Sequence, residues 1–449
     1  MAARTILSVG LVAIAGALSL GASPGLAADT SIRTCDLVPG RSAPASMPPD
    51  IELAPPRPVL RMPSATGDPD DETVERQGRI LLALARVMER WYLYPETLEA
   101  WGTDALLPAA ERIAQGLDDR GFEALLDWVM DQLGDDHSYI ESPQDAAEAD
   151  AAEQGHSDFV GIGVWSFSVR DALTDTVIAV HPGSPAERAG LRPHDTLVEV
   201  DGLPFVDERG DGRSRGPAGT SFTLTYERPG EGTVEATLVR QRVTSSVRVD
   251  ACLVAGTRIG YILLPTFFES SVDDQVRDAL TRLTADGPLD GLVLDDRVNQ
   301  GGLGVVLDPM LGMFTSGHVG SWVDRDGSEA YDIRPEDIAG SQTVPLVVLV
   351  GPNTNSFAEI FAGVLQQRGR ATLMGSTTPG NVEELYGFDL RDGWRVRVAT
   401  DAFRPVGGEA GAWEHSGIVP DVEVPSRWDL FTEATDPGLA AAIELLAAD

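Results

Sequence analysis

The 449-residue chain contains no lysine, so the 34 basic side chains counted beside its histidines are all arginine. A guanidinium stays protonated in proteins. No side-chain amine is therefore on hand to take a proton. Positive charge is scarce altogether: 34 arginines face 70 Asp and Glu, for a net charge of -36. That balance argues against nucleic acid or an anionic membrane surface as partner, since both need a positive footprint. Cysteine occurs twice, at Cys35 and Cys252. No Cys/His cluster has zinc spacing and no Gly-rich phosphate loop is present, so neither a metal nor a cofactor is expected.

What is there begins with a leader. Arg4 precedes an apolar stretch from Ile6 to Leu20, and small residues flank a cleavage point near Ala27 or Ala28. This reads as a secretory signal peptide over 1–28, implying an exported, extracellular or periplasmic protein. Gly10 and Gly16 interrupt the run, which disfavours an anchor helix and stable membrane insertion after cleavage. In an oxidising compartment Cys35 and Cys252 would pair, although two buried thiols are the alternative. Residues 29–71 are rich in Pro, Ser and Ala and read as an extended arm.

Helical periodicity dominates 72–150. Ile80, Leu81, Leu84, Val87, Met88 and Trp91 recur at helical spacing, followed by Leu106, Leu107, Ala110 and Ile113, then Phe122, Leu125, Leu126, Val129, Met130 and Leu133. Residues 155–245 alternate short β-branched runs with Gly turns. From Arg258 strands alternate with helices, which calls for a mostly parallel sheet with functional groups at strand ends. This α/β core is expected over 250–430, and a last helix over 431–449.

The core centres on Pro345–Gln367, PLVVLVGPNTNSFAEIFAGVLQQ: a buried strand, a tight turn and an amphipathic helix, with Ser356 at the turn. A serine on such an elbow is either an N-cap or a nucleophile whose oxyanion is stabilised by the helix N-terminus. Upstream, His137 in LGDDHSYIESP follows a helix end. Alone it reads as a surface or capping residue as readily as a catalyst.

The order GIGV loop, strand, SPAERAG helix and strand ending in Asp-Gly, from Phe159 to Val243, resembles a PDZ domain. That resemblance implies an edge on which a peptide adds as a strand, its C-terminal carboxylate caught by N–H groups near Gly161, Ile162 and Gly163. Behind it come GYILLPTF, LDDRVNQGG, NSFAEIFAGVLQQ and EHSGIVPDVEV. The whole is similar to the C-terminal processing (tail-specific) protease family, with its ClpP/crotonase-like core, and to the tricorn core. In that family the serine before Ala-Glu is the nucleophile, here Ser356. The resemblance implies oxyanion donors at Gly301, Gly302 and Phe357, with Asp295, Arg297 and Asn299 completing the strand motif.

One departure redirects the chemistry. Where the Ser-Lys members carry their base, Thr378-Pro379-Gly380 is followed by Asn381, which cannot accept the serine proton near neutral pH. The tricorn-like branch uses an upstream histidine followed by Ser or Thr, a pattern similar to DDHS. This implies His137 as general base, Glu414 as an accessory polar residue, and Asp136 as a group able to orient the imidazole. His415, in the turn with Glu414, is the rival base. The expected function is a secreted serine endopeptidase acting on a protein or peptide, engaged through its C-terminus. The alternative is an inactive member that binds peptides or small ligands.

Overall fold

The computed structural model describes residues 32–36, 60–68, 70–135, 137–154, 159–170, 173–207, 210–244 and 246–448. The leader, most of the arm, Asp136 and His156 lie outside them.

Runs without an interruption by polar side chains become strands covered on both faces. Ile259–Leu263, Gly291–Asp295 and Leu346–Val350 are each buried along their whole length. They form the middle of a 7-stranded sheet whose order continues through Thr372–Gly375 to Val422–Glu423 on one side and through Asp250–Leu253 to Arg33–Thr34 on the other. All neighbours pair in parallel except Asp250–Leu253 with Ile259–Leu263. The helices Val272–Leu283, Gly304–Phe314 and Phe357–Gln367 share one apolar core with this sheet. Pro437–Ala448 packs Leu439, Ala442 and Ile443 into the core that holds Val293 and Val347. The mixed α/β organisation with a mostly parallel sheet is thus the one expected.

A second sheet runs Ser328–Ile333, Gly317–Val323, Arg395–Pro405, Glu384–Asp389. The short strand Tyr139–Glu141 joins it by pairing with Arg395–Arg397. Through that pairing the helical unit is bound to the core. Its helices Asp71–Trp91 and Asp119–Asp131 start at Asp70 and Asp118, whose carboxylates accept from Thr73 and Gly121. They bury Ile80, Leu84, Met88, Leu125 and Leu126 against Trp394, Val396 and Val398. Two expectations shift. A π-helical turn over Gly102–Leu106 inserts an extra residue, so that Ala105 and Ala109 face the core and Leu107 is exposed. Trp91 sits at the helix end, 39% exposed, stacked on Phe388 at 5.6 Å.

The PDZ-like sheet is antiparallel, in the order Val164–Phe167, Asp175–Val180, Thr196–Val200, Ser221–Arg228, Gly232–Val239. Val164–Phe167 is therefore an edge strand, with one side unpaired within this sheet. Between Pro204 and Ser221 the described residues make turns and one isolated bridge, Val206 with Gly212, and no helix.

Cys35 and Cys252 are joined by a disulfide across a sequence separation of 217. It staples Arg33–Thr34 to the sheet edge, where Arg33 also meets Asp250 and Glu433. Closing a loop of that length in the unfolded chain stabilises the fold by about 2–5 kcal/mol. A Cys35→Ser, Cys252→Ser double variant is therefore expected to lose roughly that much in denaturant titration, with reductant reproducing the loss in the wild type.

Candidate active site

Ser356 stands at the N-terminus of the helix Phe357–Gln367 with φ 57 and ψ -126, a conformation rare outside glycine. Such strain persists only where the surroundings impose it, and here Glu359 does. Its fully buried carboxylate accepts from Ser356 N at 3.0 Å, Asn381 N at 2.9 Å, Gly380 N at 2.7 Å and Thr378 Oγ1 at 2.5 Å. Burial raises the Glu359 pKa while these donors pull it back. One side chain thus binds the serine elbow to the turn that ends at Asn381. Asn381 itself gives its side-chain amide to Asn355 Oδ1 at 3.0 Å.

Facing the elbow is the turn Gly301–Gly302. A Cβ on Gly301 would lie 2.8 Å from Ser356 Cβ, and one on Gly302 only 2.1 Å from the Phe267 carbonyl carbon. Both positions also have φ in the range that favours glycine, 81 and 146. Phe267 N donates to Gly301 O and Leu303 N to Phe267 O, so the Gly302 N–H is turned the other way. Among the described residues the N–H groups of Gly302 and Phe357 have no protein acceptor. The expected donor Gly301 is corrected: its N–H is already given to Asn299 Oδ1 at 3.0 Å. Asn299 braces the turn, taking Asn355 N on its carbonyl and donating to Asp296 Oδ1. Arg297, equally buried, is held between Asp295 and Asp436.

His137 is 8% exposed and comes from the loop that links the last helix of the helical unit to Tyr139–Glu141. Asp135 receives its backbone N–H at 2.7 Å and the Ser138 hydroxyl at 2.5 Å, while Ala399 N donates to Ser138 Oγ. Its Nδ1 lies 3.3 Å from Glu383 Oε2, and Glu383 Oε1 accepts from the Tyr94 hydroxyl at 2.5 Å. Glu414 takes Val382 N at 2.8 Å and lies close enough to Glu383 to feel its charge. Burial first, and the Glu383 charge second, push the Glu414 carboxyl up to about 8. Glu414 therefore reaches the imidazole through Glu383, a residue the sequence reading missed. The available signal was the Glu383-Glu384 doublet just after the Asn381 turn.

His137, Ser356, Gly302 and Phe357 line a single cavity of about 1700 Å³. Among the described residues the Ser356 hydroxyl makes no hydrogen bond to His137. His415 is 76% exposed and outside this cavity lining. Of the other histidines, His194 stacks on Trp428 at 3.9 Å and is buried, and His318 pairs with Asp332 on the surface. Ile162, Gly163 and the edge strand Val164–Phe167 line the same cavity, whereas Gly161 pairs with Gln241 and lies outside its lining. Gly163 is required where it is, because a Cβ there would come within 2.3 Å of Ser184 Cβ.

Residues 258–424 match peptidase family S41, and residues 176–228 match a PDZ domain. The chain is 34% identical over 284 residues to a carboxyl-terminal-processing protease of Synechocystis, an alignment covering 60% of this chain and 64% of that one. It is 29% identical over 315 residues to the carboxy-terminal processing protease CtpA of Bacillus subtilis, covering 68% and 64%. The chain thus spans somewhat under two thirds of these relatives' length. Among solved structures, the photosystem II D1 C-terminal processing protease shares the fold at a TM-score of 0.54 and 24% identity, over 81% of this chain and 96% of that one. The serine elbow and the Gly-Gly turn against it fall within the stretch that is similar to peptidase family S41, and the PDZ-like sheet beside the cavity overlaps the stretch that is similar to a PDZ domain.

Proposed function

We propose that this protein is an exported serine endopeptidase in which Ser356 is the nucleophile and His137 its general base. The observation that carries the reading is the opening of both side chains, with the unpaired N–H groups of Gly302 and Phe357, into one cavity. With Nδ1 turned to Glu383, His137 has Nε2 left to take the Ser356 proton as Oγ attacks the scissile carbonyl. The tetrahedral oxyanion falls to Gly302 N–H and Phe357 N–H. His137 then protonates the leaving amine, and water, activated by the same imidazole, releases the acyl group. Apo contacts between such groups are commonly long and tighten with substrate.

The substrate is a protein or peptide, taken up as an added strand on Val164–Phe167 and captured through its C-terminus at the Ile162–Gly163 loop. Export is supported by the leader and by the Cys35–Cys252 disulfide, which suits an oxidising compartment such as the periplasm.

Labelling with a fluorophosphonate tests the chemistry. Wild type is expected to label at Ser356, Ser356→Ala not at all, and His137→Ala about 10²- to 10⁴-fold more slowly. Labelling that persists in both variants would refute the assignment. Peptide binding without any labelling of the wild type would favour an inactive binding member of the fold.

Glu414 generates a second expectation. Its folded-state pKa is raised above the value of an exposed glutamate, so its contribution to stability is complete below about 4.5 and is lost as pH rises through about 8. Replacing it by glutamine removes the ionisation and keeps an acceptor for Val382 N. The melting temperature of Glu414→Gln relative to wild type should rise from about pH 5 to about pH 8 and level off above it, and a flat difference across that range would contradict the burial argument.

A further inference from the structure

The carboxylate that touches His137 is not the one to which the sequence pattern points. Glu383 is 3% exposed and, among the described residues, forms no ion pair with an arginine. A buried carboxylate keeps its charge only where donors surround it. Those donors come from three directions. Tyr94, just after the helix Asp71–Trp91, gives its hydroxyl to Oε1 at 2.5 Å. His137, from the loop after the last helix of the same unit, brings Nδ1 within 3.3 Å of Oε2. Glu414, on the core side, approaches as a carboxyl. We propose that Glu383 is the positioning residue for His137, holding the imidazole as the tautomer with hydrogen on Nδ1, and that Tyr94 and Glu414 hold Glu383 for this task.

The inference rests on the proposed pairing of His137 with Ser356, and it adds how that pairing is kept in register. Two neighbouring buried carboxylates share a proton more readily than both ionise. With Glu414 carrying that proton, one negative charge is left to face the imidazole. Desolvation and the neighbouring Glu383 also keep the Tyr94 phenol well above its ordinary value, so it remains a donor. Among the described residues Asp135 is also close by, and it is committed to the His137 backbone N–H and to Ser138. It fixes the loop, whereas Glu383 fixes the ring. When the imidazole takes the serine proton, the negative charge of Glu383 stabilises the imidazolium. That is the use of the carboxylate in any base–orienter arrangement.

Glu383 is also where the helical unit and the core meet. Tyr94 and His137 belong to the helical unit, while Glu383, Val382 and Glu414 belong to the core, tied through Asn381 to Glu359 and Ser356. A chain of contacts thus runs from the nucleophile's elbow to the base.

The test combines ¹⁵N NMR of histidine-labelled protein with fluorophosphonate labelling rates, on wild type, Glu383→Gln, Glu383→Asp and Tyr94→Phe. The His137 signals are assigned by their loss in His137→Gln. Neutral His137 in the wild type is expected to carry its proton on Nδ1. In Glu383→Gln, whose amide can donate to that nitrogen, the Nε2-protonated form should dominate, with labelling slowed roughly 10²- to 10⁴-fold. Glu383→Asp should recover part of both, and Tyr94→Phe should slow labelling several-fold with the tautomer kept. An unchanged tautomer in Glu383→Gln overturns the proposal, whether or not labelling slows. A tautomer that changes while labelling ignores His137 altogether would support the hold of Glu383 on the ring and refute the catalytic pairing instead. Thermal melts establish that each variant is folded.

Discussion

The Glu359 carboxylate organises the centre of this molecule. It is fully buried, and it keeps company with four donors drawn from two segments about twenty residues apart in sequence. A lone buried carboxylate would be strongly disfavoured. Satisfied in this way, it holds Ser356 in a strained conformation and fixes the Thr378–Asn381 turn against it. Everything that reaches His137 from the core side hangs from that turn: Val382 N on Glu414, Glu383 on the imidazole. The lysine-free composition makes this arrangement intelligible. No side-chain amine stands beside the serine, and the imidazole that shares its cavity comes from another unit, backed by a string of buried acids.

The parallel sheet was readable because strands such as Leu346–Val350 are apolar throughout and are punctuated by Gly and Pro. The serine elbow and the Gly-Gly turn were readable for a similar reason: each depends on a local motif whose residue types have few substitutes. Glu383 was hidden because its importance is not local. It lies 246 positions from His137, and in sequence it is one of two adjacent glutamates, of which Glu384 faces a different acidic neighbourhood, near Asp401. Only the pairing of Tyr139–Glu141 with Arg395–Arg397 brings the histidine loop to it. The occupied N–H of Gly301 was hidden too, since a glycine pair does not disclose which of its amides is already bound. Leu107 misled for another reason, because a π-turn displaces the helical period within a single turn.

The PDZ-like unit contributes an edge and a loop to the cavity, not a closed groove. The described residues between Pro204 and Ser221 form turns in place of a second helix. Phe205, Gly212 and Arg213 from that stretch line the same cavity as Ser356. The PDZ-like edge and the serine elbow therefore open into one space.

The three-residue strand Tyr139–Glu141 has a thermodynamic consequence of its own. His137 is tied to the core by this short pairing and the Ser138 link to Ala399, beside the apolar packing of the helical unit on Trp394, Val396 and Val398, whereas Ser356 stands next to the core that holds Phe357, Ala358 and Ile360. Local opening draws on the least extensive contacts first. The His137 loop would then part from the Ser356 elbow in a local opening that spares the large sheet, ahead of any loss of the fold as a whole.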